Sequence, residues 1–172
     1  MSRRYNIPLG GMKDGRHEID FEIDNRFFED FEGSEVNEGN LTVQVVIEKR
    51  STHADLTISI SGTVRICCDR CLEMFSYGIN SKNRLIVKYG DKDEEFDPDI
   101  LYLPQGENVL EMQQHFYDFV LLALPIRRIH PDDSKGNSTC DPEMLKKIEN
   151  LRSEESEPDP RWDELKKLMN NN

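Results

Sequence analysis

Hydrophobic and polar residues follow two different periods along the chain, and the change between them predicts where strands give way to helices. Alternating or β-branched apolar positions are typical of half-buried strands. Strands are predicted at residues 41–49, 55–61, 63–66 and 83–89. Gly62 is interpreted as a bulge or bend between two of them. Residues 41–90 are therefore predicted to form a meander of at least four short strands, paired antiparallel.

A helical period follows. Between residues 109 and 123 apolar side chains recur at spacings of one, three and four, which predicts a helix with a broad apolar face. Asn108 is its predicted N-cap, and Pro125 ends it. We expect this helix to cover one face of the sheet.

Shorter elements complete the pattern. A strand is predicted at residues 100–103, and an acidic loop at residues 91–99 precedes it. Two short helices are predicted near the C-terminus, at residues 142–152 and 159–168. The fold class predicted from these elements is α+β: an antiparallel β-sheet meander with a packed amphipathic helix and short C-terminal helices.

The length of 172 residues fits one ordinary domain. We expect an N-terminal strand and acidic segment at residues 1–40 that belongs to the same domain. Residues 41–152 are expected to form the core of sheet and helix with a Cys/His site. Residues 153–172 are expected to be a charged linker followed by a docking helix.

Charge is distributed in blocks. The formal net charge is −12, which excludes a uniformly basic nucleic-acid-binding domain. The acids concentrate in residues 17–40 and 91–118, which each carry −8, whereas residues 41–90 carry +3. Any contact with nucleic acid therefore needs a local basic face.

No secretory signal or membrane span is recognisable, because the longest apolar run, residues 119–126, is far shorter than a bilayer requires. We therefore expect a cytoplasmic protein without a membrane partner. In a reducing compartment its four cysteines are expected to be metal ligands, redox groups or buried thiols rather than disulfides.

The sharpest local motif is the segment CCDRC at residues 67–71. A Cys-x-x-Cys turn brings two sulfurs within reach of one ion, and zinc requires four ligands. Half of a zinc site, a redox dithiol and ordinary thiols all remain compatible with this spacing. The residues that can complete such a site are Cys140, His130, His115, His17 and His53.

Four features follow one another along the chain: ICCDRCLEMF at residues 66–75, LLALPIRRIH at residues 121–130, Cys140, and DPRWDELKKL at residues 159–168. In this order they resemble the YceD family, bacterial proteins with plastid relatives named for a role in accumulation of large-subunit ribosomal RNA. The resemblance spans roughly residues 41–170 and rests on the order and spacing of these segments together.

The resemblance implies a metal site and a function. Its metal ligands fall on Cys68, Cys71, His130 and Cys140, with structural zinc as the expected cofactor, and Cys67 lies outside the pattern. Two departures are His130, where relatives commonly have cysteine, and a longer gap to Cys140. The implied function is a non-catalytic role in ribosomal RNA accumulation or large-subunit biogenesis, with ribosomal RNA or the pre-ribosomal large subunit as partner.

The basic residues of the predicted sheet offer a physical route to RNA, if several share one face. The candidate RNA-binding residues are Arg65, Arg70, Lys82, Arg84 and Lys88. An ordinary solvated face is the competing interpretation of these cations. The alternative function is an acidic adaptor that docks basic ribosomal proteins or RNA-processing enzymes without touching RNA. We expect no enzymatic activity and no small-molecule substrate, because no catalytic motif is recognisable.

Overall fold

A computed structural model of the protein describes residues 3–90, 97, 99–104 and 106–153. The described chain divides into two compact units. Among the described residues, we call those within 3–67 and 74–128 the sheet unit, and those within 68–73 and 129–153 the cysteine unit. The predicted helix at residues 159–168 and most of the predicted acidic loop lie outside the described residues, and the predicted domain boundaries stay predictions.

The sheet unit contains a five-stranded and a two-stranded sheet. Its strands are β1 (Asn6–Ile7), β2 (Gly15–Ile23), β3 (Glu38–Lys49), β4 (His53–Cys67), β5 (Met74–Tyr89), β6 (Ile100–Leu103) and β7 (Leu110–Glu111). Its helices are α1 (Asn25–Glu29) and α2 (Gln113–Leu122). The large sheet has the order β2-β3-β4-β5-β6, and only the β5–β6 pair in it is parallel. The predicted α+β class with a mostly antiparallel sheet is confirmed.

The meander at residues 41–90 consists of three long strands, so the prediction of at least four short ones is wrong. Gly62 does not form a bulge, because its register with Leu41 on one side and Ile79 on the other is unbroken. It has a φ of +143°, and a Cβ there would lie 2.2 Å from the carbonyl oxygen of Asn40. Glycine at this position keeps β4 continuous.

One face of the large sheet is buried and the other is open. Strict alternation along β3 and β4 places Val43, Val45, Ile58 and Ile60 in the core. The buried Phe116 of α2 packs against the same core, with its ring 5.3 Å from that of Phe21. The predicted covering helix is therefore present.

The start of α2 differs from the prediction. The helix begins at Gln113, and Leu110 instead pairs with Ile7 between β7 and β1. The backbone N–H of Met112 donates to the carbonyl oxygen of Tyr5 at 3.0 Å. Pairing with the N-terminal segment therefore holds residues 109–111 extended, and Asn108 is not the N-cap.

In the cysteine unit, helix α3 (Pro142–Ser153) follows the predicted span. The carboxylate of Asp141 accepts the backbone N–H of Glu143 at 2.9 Å at its N-terminus. Within the described ranges, no helix has the length and apolar character needed to cross a membrane.

Candidate metal centre and nucleic-acid interface

The Cys-x-x-Cys segment forms the tight turn that joins β4 to β5. The backbone N–H of Cys68 donates to the carbonyl oxygen of Glu73, and that of Leu72 donates to the carbonyl oxygen of Cys68, both at 2.9 Å. Leu72 has a φ of +63°, which is uncommon for a residue with a branched side chain. Cys68 and Cys71 are both buried. This turn directs two thiols to the same point.

A second loop supplies the other half of the site. Between His130 and Cys140 the chain closes on itself through an antiparallel bridge between Asp132 and Ser138. The Asp133 carboxylate supports the turn by accepting the backbone N–H groups of Lys135 and Asn137, each at 2.8 Å. The long gap between the two ligands is therefore taken up by a compact loop, and the ligands lie side by side.

The four predicted ligands come together. Their ligand atoms all lie within 4.8 Å of one another, and they form a group of Cys and His side chains that can hold a metal ion. The Sγ atoms of Cys68 and Cys140 are 3.8 Å apart. Nδ1 of His130 lies 3.4 Å from the Cys71 sulfur and 3.7 Å from the Cys140 sulfur. Cys67 is exposed in β4 and lies outside this group.

The electrostatics of this group favour thiolates at two positions. Burial raises the pKa of Cys68, but hydrogen bonds from the backbone of Cys71 and Arg70 outweigh it and lower the pKa to about 6. Burial also opposes ionisation of Cys140, where hydrogen bonds from Ser138 and Arg70 lower the pKa overall. Thiolate is the form of cysteine that binds metals.

The family comparison covers this region. The model of the family described as large ribosomal RNA subunit accumulation protein YceD matches residues 56–169. The chain belongs to the YceD family. The match includes the four clustered residues Cys68, Cys71, His130 and Cys140, together with most of β4 and the whole of β5. Comparison with curated proteins and with solved structures gave no significant match.

Arg70 lies in the Cys-x-x-Cys turn, between Cys68 and Cys71. Its guanidinium donates to the hydroxyl of Ser138 and lies 3.5 Å from the Cys140 sulfur. The sequence makes Arg70 a candidate RNA-binding residue, whereas the structure shows its side chain half-buried against Cys140. A cation at this position stabilises the negative charge of the thiolate. The signal that points to this contact is its position between the two cysteines.

The other candidate RNA-binding residues share the open face of the large sheet. Arg65 lies opposite Ser76, Arg84 opposite Thr57, and Lys88 opposite His53. Lys82, opposite Ser59, is on the same face. Alternation therefore places all four side chains on one surface.

Carboxylates and an aromatic ring accompany several of these cations. Arg65 pairs with Glu38 at 3.2 Å, and Arg84 pairs with Asp55 at 2.6 Å. The ammonium group of Lys88 lies 5.8 Å from the centre of the Tyr102 ring. The positive charge counted along residues 41–90 is therefore partly balanced where it meets the open face.

His17, His53 and His115, which the spacing alone leaves as possible ligands, belong to the sheet unit. The Nε2 atom of His17 lies 2.7 Å from the carbonyl oxygen of Lys13. His53 contacts the hydroxyl of Thr52 at 2.9 Å and the carboxylate of Asp55 at 3.5 Å. None of the three belongs to the Cys/His group found among the described residues.

Proposed function

We propose that this YceD-family protein is a cytoplasmic, non-catalytic factor in accumulation of large-subunit ribosomal RNA and biogenesis of the large ribosomal subunit. The observation that carries the proposal is the family match over residues 56–169. The proposed partner is ribosomal RNA or the pre-ribosomal large subunit. RNA contacts are assigned to Arg65, Lys82, Arg84 and Lys88 of the open face, and to Arg70 in the turn.

We further propose that the ion is zinc, bound by Cys68, Cys71, His130 and Cys140 in a structural role. In a tetrahedral zinc site with thiolate and imidazole ligands, two sulfurs lie about 3.8 Å apart, and a sulfur and a nitrogen lie about 3.5 Å apart. The separations of 3.8, 3.4 and 3.7 Å within the group support this assignment. Four protein ligands leave no open position, which is typical of a structural rather than a catalytic zinc. Zinc supplies a cross-link between the turn and the loop.

A second candidate function is an acidic adaptor for basic ribosomal proteins or RNA-processing enzymes. The open face of β2 favours it, because the exposed residues Glu18, Asp20 and Glu22 alternate there with inward-facing ones. The carboxylates that pair with Arg65 and Arg84 also favour it, since they reduce the charge available for phosphates. In this case RNA is affected only through the docked protein.

Depletion of the protein in its host tests the function. We expect large-subunit ribosomal RNA to fall relative to small-subunit RNA, and wild-type protein to restore it. Unchanged RNA levels after complete depletion would contradict the proposal.

Crosslinking in the same cells separates the two candidates. Direct RNA contact predicts ribosomal RNA crosslinked to this chain, and reduced crosslinking when Arg65 and Arg84 of the open face are changed to Glu. The adaptor predicts association with ribosomal proteins that survives nuclease treatment and gives no RNA crosslink.

A further inference from the structure

One corner of the open face gathers side chains that the metal site does not use. A cavity of about 540 Å³ lies beside the hairpin between β3 and β4. Its lining residues are Arg50, Thr52, His53, Asp55, Arg84, Ile86 and Lys88. We call these residues the corner cluster. All of them belong to the sheet unit.

The backbone accounts for this convergence. The N–H of Arg50 donates to the carbonyl oxygen of His53 at 2.8 Å and closes the hairpin. Register places His53 directly opposite Lys88, and Asp55 opposite Ile86. Arg50 therefore comes from the turn, while Lys88 and Arg84 come from β5, and their charged groups surround one concave surface.

The corner cluster has more cations than carboxylates. Among the described residues that line the cavity, Arg50, Arg84 and Lys88 accompany one carboxylate, that of Asp55. The guanidinium of Arg84 and then the nearby charges of His53 and Arg50 hold the pKa of Asp55 below its ordinary value.

Asp55 orients Arg84 without using up its donors. The Asp55 side chain is 15% exposed and lies 2.6 Å from one nitrogen of the guanidinium, whereas the Arg84 side chain is 69% exposed. A guanidinium has five N–H donors in a planar fork that matches phosphate oxygens. The partly exposed carboxylate of Asp55 therefore orients a guanidinium that is itself largely open to solvent.

An aromatic ring lies next to the charges. Tyr102 of β6 pairs in register with Lys88, and its ring centre is 5.8 Å from the Lys88 ammonium group. Single-stranded nucleic acids bind where a positive groove follows the backbone and aromatic rings stack on bases. A cationic site for phosphate beside such a ring therefore matches the two components of an RNA strand, its phosphates and its bases.

Two other cavities of the sheet unit have a different composition. A cavity of about 650 Å³ at the opposite end of β3 and β4 has three acids, Glu22, Asp24 and Glu38, against two arginines. A smaller one of about 250 Å³ includes Lys49, whose ammonium group already pairs with Asp14 at 3.1 Å. The excess of cations therefore distinguishes the corner cluster from both.

We propose that the corner cluster binds phosphodiester groups of single-stranded ribosomal RNA segments, with Arg50, Arg84 and Lys88 on the phosphates and Tyr102 stacked against a base. This inference rests on the proposed RNA-linked function and gives the RNA contact a location. It adds Arg50 and Tyr102 to the residues assigned to RNA.

The test is anisotropy of a fluorescein-labelled 12-nucleotide oligouridylate titrated with the full-length zinc-loaded protein at several salt concentrations. Arg50→Gln combined with Lys88→Gln is expected to weaken binding about tenfold and to reduce the salt slope by about 1.4, as for two lost phosphate contacts on a single strand. Tyr102→Leu is expected to weaken binding about fivefold or more, with an unchanged salt slope.

The matched control is Arg16→Gln combined with Arg26→Gln, which removes the same net charge from β2 and α1. We expect less than a twofold change in affinity. Equal losses in both double variants, no loss in the corner variant, or no binding of the oligonucleotide by wild-type protein would each overturn the inference. Zinc content and thermal unfolding of every variant establish that the fold is kept.

Complementation separates this inference from the proposed function. If the corner variant restores ribosomal RNA levels in depleted cells as well as wild type does, the corner cluster is not the RNA contact, but the function stands. If depletion leaves ribosomal RNA unchanged, the proposed function itself fails. If the corner variant fails to restore RNA levels while the control variant succeeds, both stand.

Discussion

The sulfur of Cys68 lies 3.8 Å from the sulfur of Cys140, although 72 positions separate the two residues along the chain. One cysteine follows the end of a β-strand and the other precedes a helix. A metal ion held between them would close a long loop of chain, and such closures limit the freedom of the unfolded state.

The first prediction concerns metal content. Protein purified without added metal is expected to contain close to one zinc per chain by elemental mass spectrometry. Cys68→Ser is expected to lose most of it, because three ligands bind zinc far more weakly than four. Cys67→Ser is the matched control, since its side chain is exposed and outside the cluster. Equal zinc content in both variants would contradict the assignment.

Metal removal is expected to destabilise the cysteine unit. For free zinc at about 1,000 times Kd, binding contributes about 4 kcal/mol, and its loss corresponds to about 8–16 °C in melting temperature for a chain of this size. Hydrogen exchange after chelation is expected to accelerate in residues 68–73 and 129–141. The central strands of the sheet unit serve as the internal reference. Metal-free protein with unchanged exchange and melting would exclude a structural role.

Substitutions at Leu72 test whether the positive φ of this residue strains the turn. A side chain in the left-handed region costs about 1–2 kcal/mol, and glycine escapes this cost while adding about 0.4–1 kcal/mol of unfolded-state entropy. We therefore expect Leu72→Gly to keep zinc and to raise the free energy of unfolding by about 0–1.6 kcal/mol, the difference between these two effects. Leu72→Val is expected to destabilise the zinc-loaded protein, because a β-branched residue fits this conformation poorly. Denaturant unfolding measures the free energy of unfolding, and competition with a chelating dye measures zinc affinity. Equal free energies of unfolding for the two variants would count against strain at Leu72.

Gly62 and Gly78 form a matched pair on neighbouring strands. A Cβ at Gly62 would lie 2.2 Å from the Asn40 carbonyl oxygen, whereas a Cβ at Gly78 meets no atom within 4 Å. Gly62→Ala is expected to cost about 3 kcal/mol or more, from the clash and the positive φ together. Gly78→Ala is expected to be neutral or to stabilise by up to about 1 kcal/mol. Urea unfolding curves distinguish these outcomes, and similar midpoints would refute the close approach.

The lowered pKa of Asp55 predicts that the stability of the fold depends on pH. The hydrogen bond from Arg84 is the main cause of its lowered pKa. A carboxylate with a lowered folded pKa stabilises the fold above its unfolded pKa, about 3.9, and that contribution is lost as the pH falls through the folded value. In Arg84→Gln the pKa of Asp55 is expected to rise towards its unfolded value, so the contribution is smaller and is lost over a narrower range of pH. Carboxyl carbon shifts in NMR titrations measure the pKa, with Arg65→Gln as the control that leaves the Asp55 titration unchanged.

Local patterns predict the strands better than their ends. The alternation of Leu56, Ile58 and Ile60 identifies β4, but Gly62 is interpreted as a break because a bulge and a continuous strand leave the same local pattern. Only the partners across the sheet, Leu41 and Ile79, decide between them. The sequence also misplaces the start of α2, because Leu110 pairs with Ile7, more than 100 residues earlier in the chain.

The candidate metal centre could be predicted as residues but not as geometry. The spacing of Cys68 and Cys71 indicates half a site, and the resemblance supplies His130 and Cys140. The compact loop that brings this second pair together depends on the Asp132–Ser138 bridge. The position of Arg70 between the two cysteines places it near the site. Its hydrogen bond to Cys140 depends on the fold and cannot be read from the sequence.

The position of the acids and cations across the open face has a consequence for long-range electrostatics. Three strand spacings separate β2 from β5, which amounts to about 14 Å, and the Debye length at physiological ionic strength is about 8 Å. The fields of Glu18, Asp20 and Glu22 are therefore largely screened before they reach Arg84 and Lys88. A polyanion near β5 therefore responds mainly to charges close to that strand, and the separation of acids and cations across the open face orients it during approach.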